Sequence, residues 1–291
     1  MITDVAIAAS ADFIDLDDGW PALRDALLAA GLRPRVAVWD DPSIDWHHFG
    51  LVGAMYTWGY VTRRPSFLAW AGRVESATKL VNSARHLRWN SDKTYLADLA
   101  DVGVPVVPTT WVRPGESWWP PAEDYVIKPT VASGGLGAAR YRASRRETAD
   151  RHVRRLHRGG HTVMVQPYQQ SIDTAGETAL VFVGDRFSHA VNKSSLLTAD
   201  VGEVERLWER EIITSTEPSP GYRQLAETVM ATVVAKLGPT AYARVDLVGD
   251  DAGCPRVLEV ELIEPSLFLA TAEGSARRLA GVLQQLAESS V

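Results

Sequence analysis

Tyr242-Ala-Arg-Val-Asp-Leu-Val248 and Val257-Leu-Glu-Val-Glu-Leu-Ile263 are apolar runs with charges at alternate positions, Arg244 and Asp246 in the first, Glu259 and Glu261 in the second. Successive side chains of a strand point to opposite faces. The charges of each run therefore share one face, and Ala243, Val245 and Leu247, or Leu258, Val260 and Leu262, share the other. Gly249-Asp-Asp-Ala-Gly-Cys-Pro255 between them is turn-rich, so the runs are predicted to pair as a hairpin. Pairing gathers Asp246, Glu259 and Glu261 beside Arg244. Carboxylates that close repel unless a cation joins them, and an all-oxygen donor set suits a hard ion such as Mg²⁺. A solvated sheet face with a cross-strand Arg–Glu pair explains the same two strands equally well.

The 291-residue chain is 46% hydrophobic and 23% charged, which fits a globular protein of two or three packed units. A net charge of −6 argues against nucleic acid held by the overall field and favours small-molecule partners. The N-terminus lacks a basic start with a long apolar core, and no run reaches the roughly 20 apolar residues that span a bilayer, so a cytoplasmic location without membrane contact is expected. The single cysteine, Cys254, excludes an internal disulfide or a multi-cysteine zinc site and reads as a loop residue. Nine of the ten Trp fall at or before Trp119, a distribution that points to packing or subunit contact and leaves a homo-oligomer open.

Along the chain, Asp4 to Ala9 reads as a buried strand, followed by a helix capped by Asp17 or Asp18 with Pro21 in its first turn. Strands over Arg35–Trp39 and Gly50–Met55 and a helix from Pro65 through Gly72 complete a small α/β unit. Asn90-Ser-Asp-Lys-Thr94 signals a helix with Leu96, Leu99 and Ala100 on one side, and a second unit starts there. It holds the strand ending at Lys128, the loop Ser133-Gly-Gly-Leu-Gly137, a strand from Ala138, and a basic helix with a Ser144/Glu147 capping box. A third unit opens with Thr162–Gln166, continues through a Gly184-Asp185 hairpin, a helix from about Tyr222 to Leu237 and the charged hairpin, and closes on a helix over about 272–288. The predicted domains are 1–88, 89–165 and 166–291.

Lys128 at a strand end, followed by a loop with three glycines, offers a cation and approachable backbone N–H groups, which suits phosphate. The spacing is neither a P-loop nor a dinucleotide fingerprint, and a hairpin tip with a surface lysine is the plain alternative. Pro167 cannot donate a hydrogen bond, so the carbonyl before it and the N–H of Tyr168 could face a base rather than a ladder, a plain strand end being the alternative. His47-His48 reads as loop, and the His152–His161 helix as a basic solvated face. No Gly-x-Ser-x-Gly or His-Glu-x-x-His pattern is present.

In succession, Asn90-Ser-Asp-Lys93, Tyr125-Val-Ile-Lys-Pro129, the glycine loop, Val165-Gln-Pro-Tyr168, Gly176-Glu177, Ser188-His-Ala-Val-Asn-Lys193, Ala243-Arg-Val-Asp246 and Leu258-Glu-Val-Glu261 resemble the ATP-grasp superfamily over residues 85–285. Arg88-Trp-Asn-Ser-Asp-Lys93 and Glu261-Leu-Ile-Glu-Pro-Ser-Leu-Phe268 narrow the likeness to the glutathione synthetase-like group and its O-ureido-D-serine cyclo-ligase branch. The resemblance implies three α/β domains with nucleotide between the central and C-terminal ones, and an ATP-dependent carboxylate–amine ligase acting through an acyl phosphate on small carboxylate and amine substrates. Lys93 and Lys128 would hold the α- and β-phosphates, Ser133, Gly134 and Gly135 would cover the terminal phosphates, and Gln166, Pro167 and Tyr168 would receive adenine with Asp173 at the ribose. Asp246, Glu259 and Glu261 would bind two Mg²⁺ ions, Mn²⁺ being a substitute, and Glu261 stands where many members have Asn. Arg244 and Lys193 would be catalytic, and Tyr60, Glu264 and Ser266 would meet the substrate. Where close relatives carry an Arg-Ser-Thr-Trp-Asp-Tyr-like segment this chain has Met55-Tyr-Thr-Trp-Gly-Tyr60, which implies a different amino-acid substrate. A phosphotransferase acting on a hydroxyl, and a nucleotide-binding protein without turnover, are the alternatives.

Overall fold

The computed structural model describes residues 3–14, 17–199, 202–204 and 211–289. β1 (Thr3–Ala9), α1 (Trp20–Ala29), β2 (Leu32–Val38), β3 (Leu51–Tyr56), α2 (Arg64–Ala77) and β4 (Leu80–Val81) form the N-terminal layer, a parallel sheet in the order β2-β1-β3-β4. β1 is fully buried from Val5 to Ala9, as expected for a central parallel strand. Pro21 does open α1, but Gly19 takes the cap position, and Asp17 accepts the Gly19 N–H at 3.0 Å instead of capping the helix. α2 runs past the expected Gly72, and β4 is too short to show a periodicity in sequence. Trp39, Phe67, Trp70 and Tyr60 pack ring to ring, so much of the tryptophan enrichment is core packing.

The helices α3 (Ala84–Asn90) and α4 (Tyr95–Asp101) follow. Tyr95, Leu96 and Leu99 bury themselves against Leu180, Ala226 and Val260, so this segment packs on the C-terminal sheet and does not begin the central one. The central sheet comprises β5 (Thr110–Val112), β6 (Tyr125–Pro129), β7 (Ala139–Tyr141) and β8 (Val163–Pro167), in the antiparallel order β5-β8-β6-β7, with α5 (Arg146–Arg158) between β7 and β8 in sequence. β8, expected to open the third unit, lies inside this sheet with Val165 opposite Ile127. The Ser144/Glu147 box does not form: Arg145 is the cap residue and no side chain bonds there. α5 is basic outside, but His152 faces inward with Val153 and Leu156, its Nδ1 lying 3.0 Å from the Tyr141 hydroxyl.

The C-terminal layer contains α6 (Ile172–Ala175), β9 (Glu177–Val183), β10 (Arg186–Lys193), β11 (Ile213–Thr216), α7 (Pro220–Leu237), β12 (Tyr242–Gly249), β13 (Pro255–Glu261) and α8 (Ser275–Glu288), with strand order β11-β10-β9-β12-β13. The turn joining β9 and β10 has positive φ at both Gly184 (56°) and Asp185 (63°), matching strand twist. α7 covers one face, while α8 shares a core with α1 and Tyr242, tying this layer to the N-terminal sheet. Among the described residues no helix is long and apolar enough to cross a membrane.

β13 is an edge strand whose open backbone is satisfied by side chains and a short bridge. The Tyr95 hydroxyl donates to Val260 O at 2.8 Å and accepts from Val260 N at 2.9 Å. Asn90 donates to Val260 O at 2.8 Å and accepts from Leu262 N at 2.7 Å. Asn82 donates to Tyr242 O (2.9 Å) and Leu262 O (2.7 Å) and accepts from Ala241 N (2.7 Å). Near the other end, Val257 exchanges bonds with Pro105 and Val107. Asn82→Ala orphans three buried backbone groups and is expected to lower stability by about 2–4 kcal/mol in chemical denaturation. Stability should also fall with acid. Burial, with Arg155 nearby, pushes His152 down to about 4, and burial lowers His86 and His189. A histidine with a depressed folded pKa contributes stability above its unfolded value of about 6.5 that is lost as pH falls toward the folded one, about 2 kcal/mol for His152 at pH 5. Thermal melts at pH 7.5 and 5 should show this loss, and His152→Gln should reduce it.

Candidate active site

The charges of β12 and β13 share one face because of a bulge. From the loop outward, Gly249 pairs with Pro255 and Leu247 with Val257, but Asp246 then pairs with Glu259 and Arg244 with Glu261. The extra residue is Leu258. In sequence it belongs to the apolar core face; in the structure Val257 takes that place and Leu258 lines the cavity above the sheet. A second bulge, at Ser188, sets Lys193 opposite Glu177. Gly176, with φ +70°, turns the chain into β9 so closely that a Cβ would strike the Lys193 carbonyl.

These strands form the floor of a cavity of about 410 Å³ whose walls come from all three layers. Arg244 donates to both oxygens of Asp246 (2.8 and 2.9 Å), to Glu261, and to Ser266 O at 3.2 Å. Lys193 Nζ lies 3.0 Å from Asp246 and 2.9 Å from Glu177. Burial works against the charge on Asp246, yet Arg244 and Lys193 outweigh it and hold the carboxyl well below its ordinary range. Lys93 Nζ sits 3.0 Å from Glu259, whose charge keeps the lysine protonated against burial, and 2.5 Å from Ala132 O. Lys128 differs: burial lowers its pKa, and among the described residues it has no ion-pair partner. Glu261 is pushed up to about 7 by burial and by Glu259 and Asp246, with Arg244 pulling the other way.

The central sheet supplies the roof. Gly134, Gly135 and Gly137 all have positive φ (54°, 73° and 73°), and Ser133 donates to Trp58 O at 3.0 Å, so the glycine loop rests on the N-terminal layer. Gln166, Pro167 and Tyr168 line the cavity together with Val126 and Leu258. The Tyr168 N–H, however, donates to Asp124 O at 2.8 Å and is not free to face a ligand, because the chain makes one more backbone bond beyond Pro167. Asp173 does not line the cavity; it receives Arg140 at 2.9 Å and the Tyr168 hydroxyl, and Ile172 faces inward instead.

Tyr60, Glu264 and Ser266 meet at the N-terminal end of the cavity, joined by Trp58 and Phe268, which the sequence did not single out. Met55 is absent from this wall, being buried in the core with Ile7 and Tyr56. Gly59 is absent too: its N–H donates to Ser10 Oγ at 3.1 Å, and a Cβ there would meet that oxygen at 3.1 Å. Of the segment that departs from relatives, Trp58 and Tyr60 reach the cavity. Glu177 and Glu211 are further acids on the wall. Glu177 was legible only as part of a motif, since its pairing with Lys193 depends on the bulge.

Asp246, Glu259 and Glu261 are all-oxygen donors at adjacent register positions, which fits a hard divalent cation; burial first, then Glu259 and Asp246, raise the Glu261 carboxyl, a cost that such an ion relieves. In their present rotamers each faces a protein cation, and among the described residues no three potential ligands already converge on one point.

A family model described as the N-terminal domain of D-cycloserine synthetase DcsG matches residues 5–82. The cycloserine biosynthesis protein DcsG of Streptomyces lavendulae is 38% identical over 295 residues, covering 97% of this chain and 98% of that protein. The crystal structure of D-cycloserine synthetase DcsG superposes with a TM-score of 0.90 at 35% identity, over 98% of this chain and 100% of that one. D-Alanine–D-alanine ligase from Bacillus anthracis in complex with ATP shares the fold, with a TM-score of 0.66 at 10% identity over 98% and 97% of the two chains. Similar over its whole length in both sequence and architecture, the chain belongs to the DcsG family and is an ATP-dependent ligase of the ATP-grasp fold.

Proposed function

We propose that this ligase activates the carboxylate of a small amino-acid-like substrate as an acyl phosphate, then couples or cyclises it with a nitrogen nucleophile, releasing ADP and phosphate in the formation of D-cycloserine or a near analogue. The observation that carries this reading is the gathering of Arg244, Lys193, Lys93, Lys128 and three carboxylates on the walls of one cavity. Lys128 and Lys93 hold the inner phosphates, and the Ser133–Gly135 backbone covers the outer ones, keeping water from the acyl phosphate. Val126, Leu258 and Gln166 to Tyr168 take the base. Arg244, oriented by its two bonds to Asp246, stabilises charge on the transferred group, and Lys193 assists from the same carboxylate. Asp246, Glu259 and Glu261 are the residues that would hold Mg²⁺, in our reading two ions, with Mn²⁺ as a substitute. When bound, the metal neutralises the phosphates.

Purified protein with ATP, Mg²⁺ and O-ureidoserine is expected to give ADP, free phosphate and a cyclised product by mass spectrometry; phosphate found on a hydroxyl without free phosphate would sink the ligase reading. Arg244→Lys loses the planar two-point bond to Asp246 and should lower kcat by about 10²–10³-fold, measured as ADP release. Metal binding should depend on pH. A carboxyl whose folded pKa is raised contributes stability at low pH that is lost as pH rises through that value, here about 7. Mg²⁺ replaces the proton, so saturating Mg²⁺ should raise Tm more at pH 8 than at pH 6, and Glu261→Gln should remove the difference.

A further inference from the structure

Phe268, on the cavity wall, is strained: its φ of 48° and ψ of 40° lie in the left-handed region, where among the described non-glycine residues only Asp185 joins it. A bulky side chain in that conformation persists only where its surroundings hold it. Three successive carbonyls of the loop are held. Arg244 donates to Ser266 O at 3.2 Å, His189 Nε2 lies 2.9 Å from Leu267 O, and the Thr271 N–H and hydroxyl each donate to Phe268 O at 2.9 Å.

Two of these holds come from one row of the C-terminal sheet. Val181 on β9 stands opposite both Arg244 on β12 and His189 on β10, so the three side chains share a face. The loop after β13 crosses that row and gives one carbonyl to each end of it. The bulge at Ser188 lies immediately before His189. Ser188 Oγ accepts from Arg278 Nε and Nη2 at 3.1 and 3.0 Å and lies 2.9 Å from His189 Nδ1. Arginine only donates, so the serine proton is directed to Nδ1, and the ring proton sits on Nε2, facing Leu267 O. Burial lowers the His189 pKa, which keeps the ring neutral at pH 7 and leaves Nδ1 able to accept.

His189 is buried and absent from the cavity wall, whereas Arg244, Ser266 and Phe268 all line it. The Arg244 guanidinium carbon lies 5.5 Å from the centre of the Phe268 ring, and its Nη1 is the group bonded to Ser266 O. Releasing Leu267 O lets Phe268 relax, and both contacts on the guanidinium then move. We propose that His189 is a positioning residue for Arg244: by holding Leu267 O it keeps Phe268 left-handed, so that Ser266 O and the Phe268 ring keep the guanidinium aimed into the cavity. Arg278 and Ser188 set its tautomer. This rests on the role given to Arg244 under the ligase reading above.

The test compares His189→Leu, which cannot donate, with His189→Gln, whose amide can donate from near the place of Nε2. In ADP release at saturating ATP and Mg²⁺, His189→Leu should lower kcat by about 10-fold, the scale of one buried hydrogen bond, with KM for ATP within about 2-fold of the parent. His189→Gln should recover all but about 3-fold of that loss. Phe268→Gly removes the cost of the left-handed conformation, so adding His189→Leu to it should lower kcat by no more than about 2-fold further. Long-range ¹H–¹⁵N spectra of the full chain, with His189→Gln to assign the signal, should show His189 protonated on Nε2 and bare on Nδ1, and Ser188→Ala should turn that into a mixture. A proton on Nδ1, a Gln variant as impaired as the Leu one, full additivity with Phe268→Gly, or a KM for ATP that rises as kcat falls overturns the proposal. The spectra need no turnover, and Arg244 serves transfer to a carboxylate or to a hydroxyl alike. Phosphate found on a hydroxyl therefore sinks the ligase reading alone, and ligase turnover unchanged by His189→Leu sinks the positioning role alone.

Discussion

The bulge at Leu258 is the constraint on which the site depends. Residues paired across an antiparallel ladder point to the same face, and without the extra residue Asp246 would stand opposite Leu258 and Arg244 opposite Val260. Glu259 and Glu261 would then point away from Arg244 and into the core packed under α7. One inserted residue places four charges on one face and moves Leu258 to the cavity, where an apolar side chain suits a nucleotide base.

That register is held from outside by side chains rather than by another strand. Asn82, Asn90 and Tyr95 satisfy the open edge from Ala241 to Leu262, and each comes from the segment joining the N-terminal and central layers. Stability of the N-terminal layer and placement of the carboxylates are therefore one property. The shared core of α1, α8 and Tyr242 joins the C-terminal layer to the N-terminal one in the same way.

The charges explain one another within this frame. Asp246 is buried at 2% exposure because two cations, both oriented by the fold, stand against it. Glu261 shares Arg244 with it and is left partly uncompensated, while Lys128 on the roof feels the charges of Glu259 and Glu177 but makes no ion pair among the described residues. An acid-rich floor facing an unpaired cation on the roof is an arrangement suited to a metal and a phosphate chain lying between them.

Much of this was legible in the chain. Alternation found the two charged strands, the Gly184-Asp185 pair found its hairpin, and the order of short motifs gave the ATP-grasp resemblance, because each depends on local spacing. Sequence periodicity did not show that β8 belongs to the central sheet, that α4 packs on the C-terminal one, or that His152 lies inside a basic helix. Those placements are decided by which apolar face finds a partner, a long-range matter. Asp173 was read as a ribose contact and the Tyr168 N–H as free beyond Pro167 from local sequence, and the structure uses both for internal bonds to Arg140 and Asp124. The sequence by itself determined which charged side chains alternate with core residues along the two strands. Only the tertiary structure decided that they meet, because two single-residue bulges and a hydrogen-bonded edge set the register, and alternation reads the same with or without them.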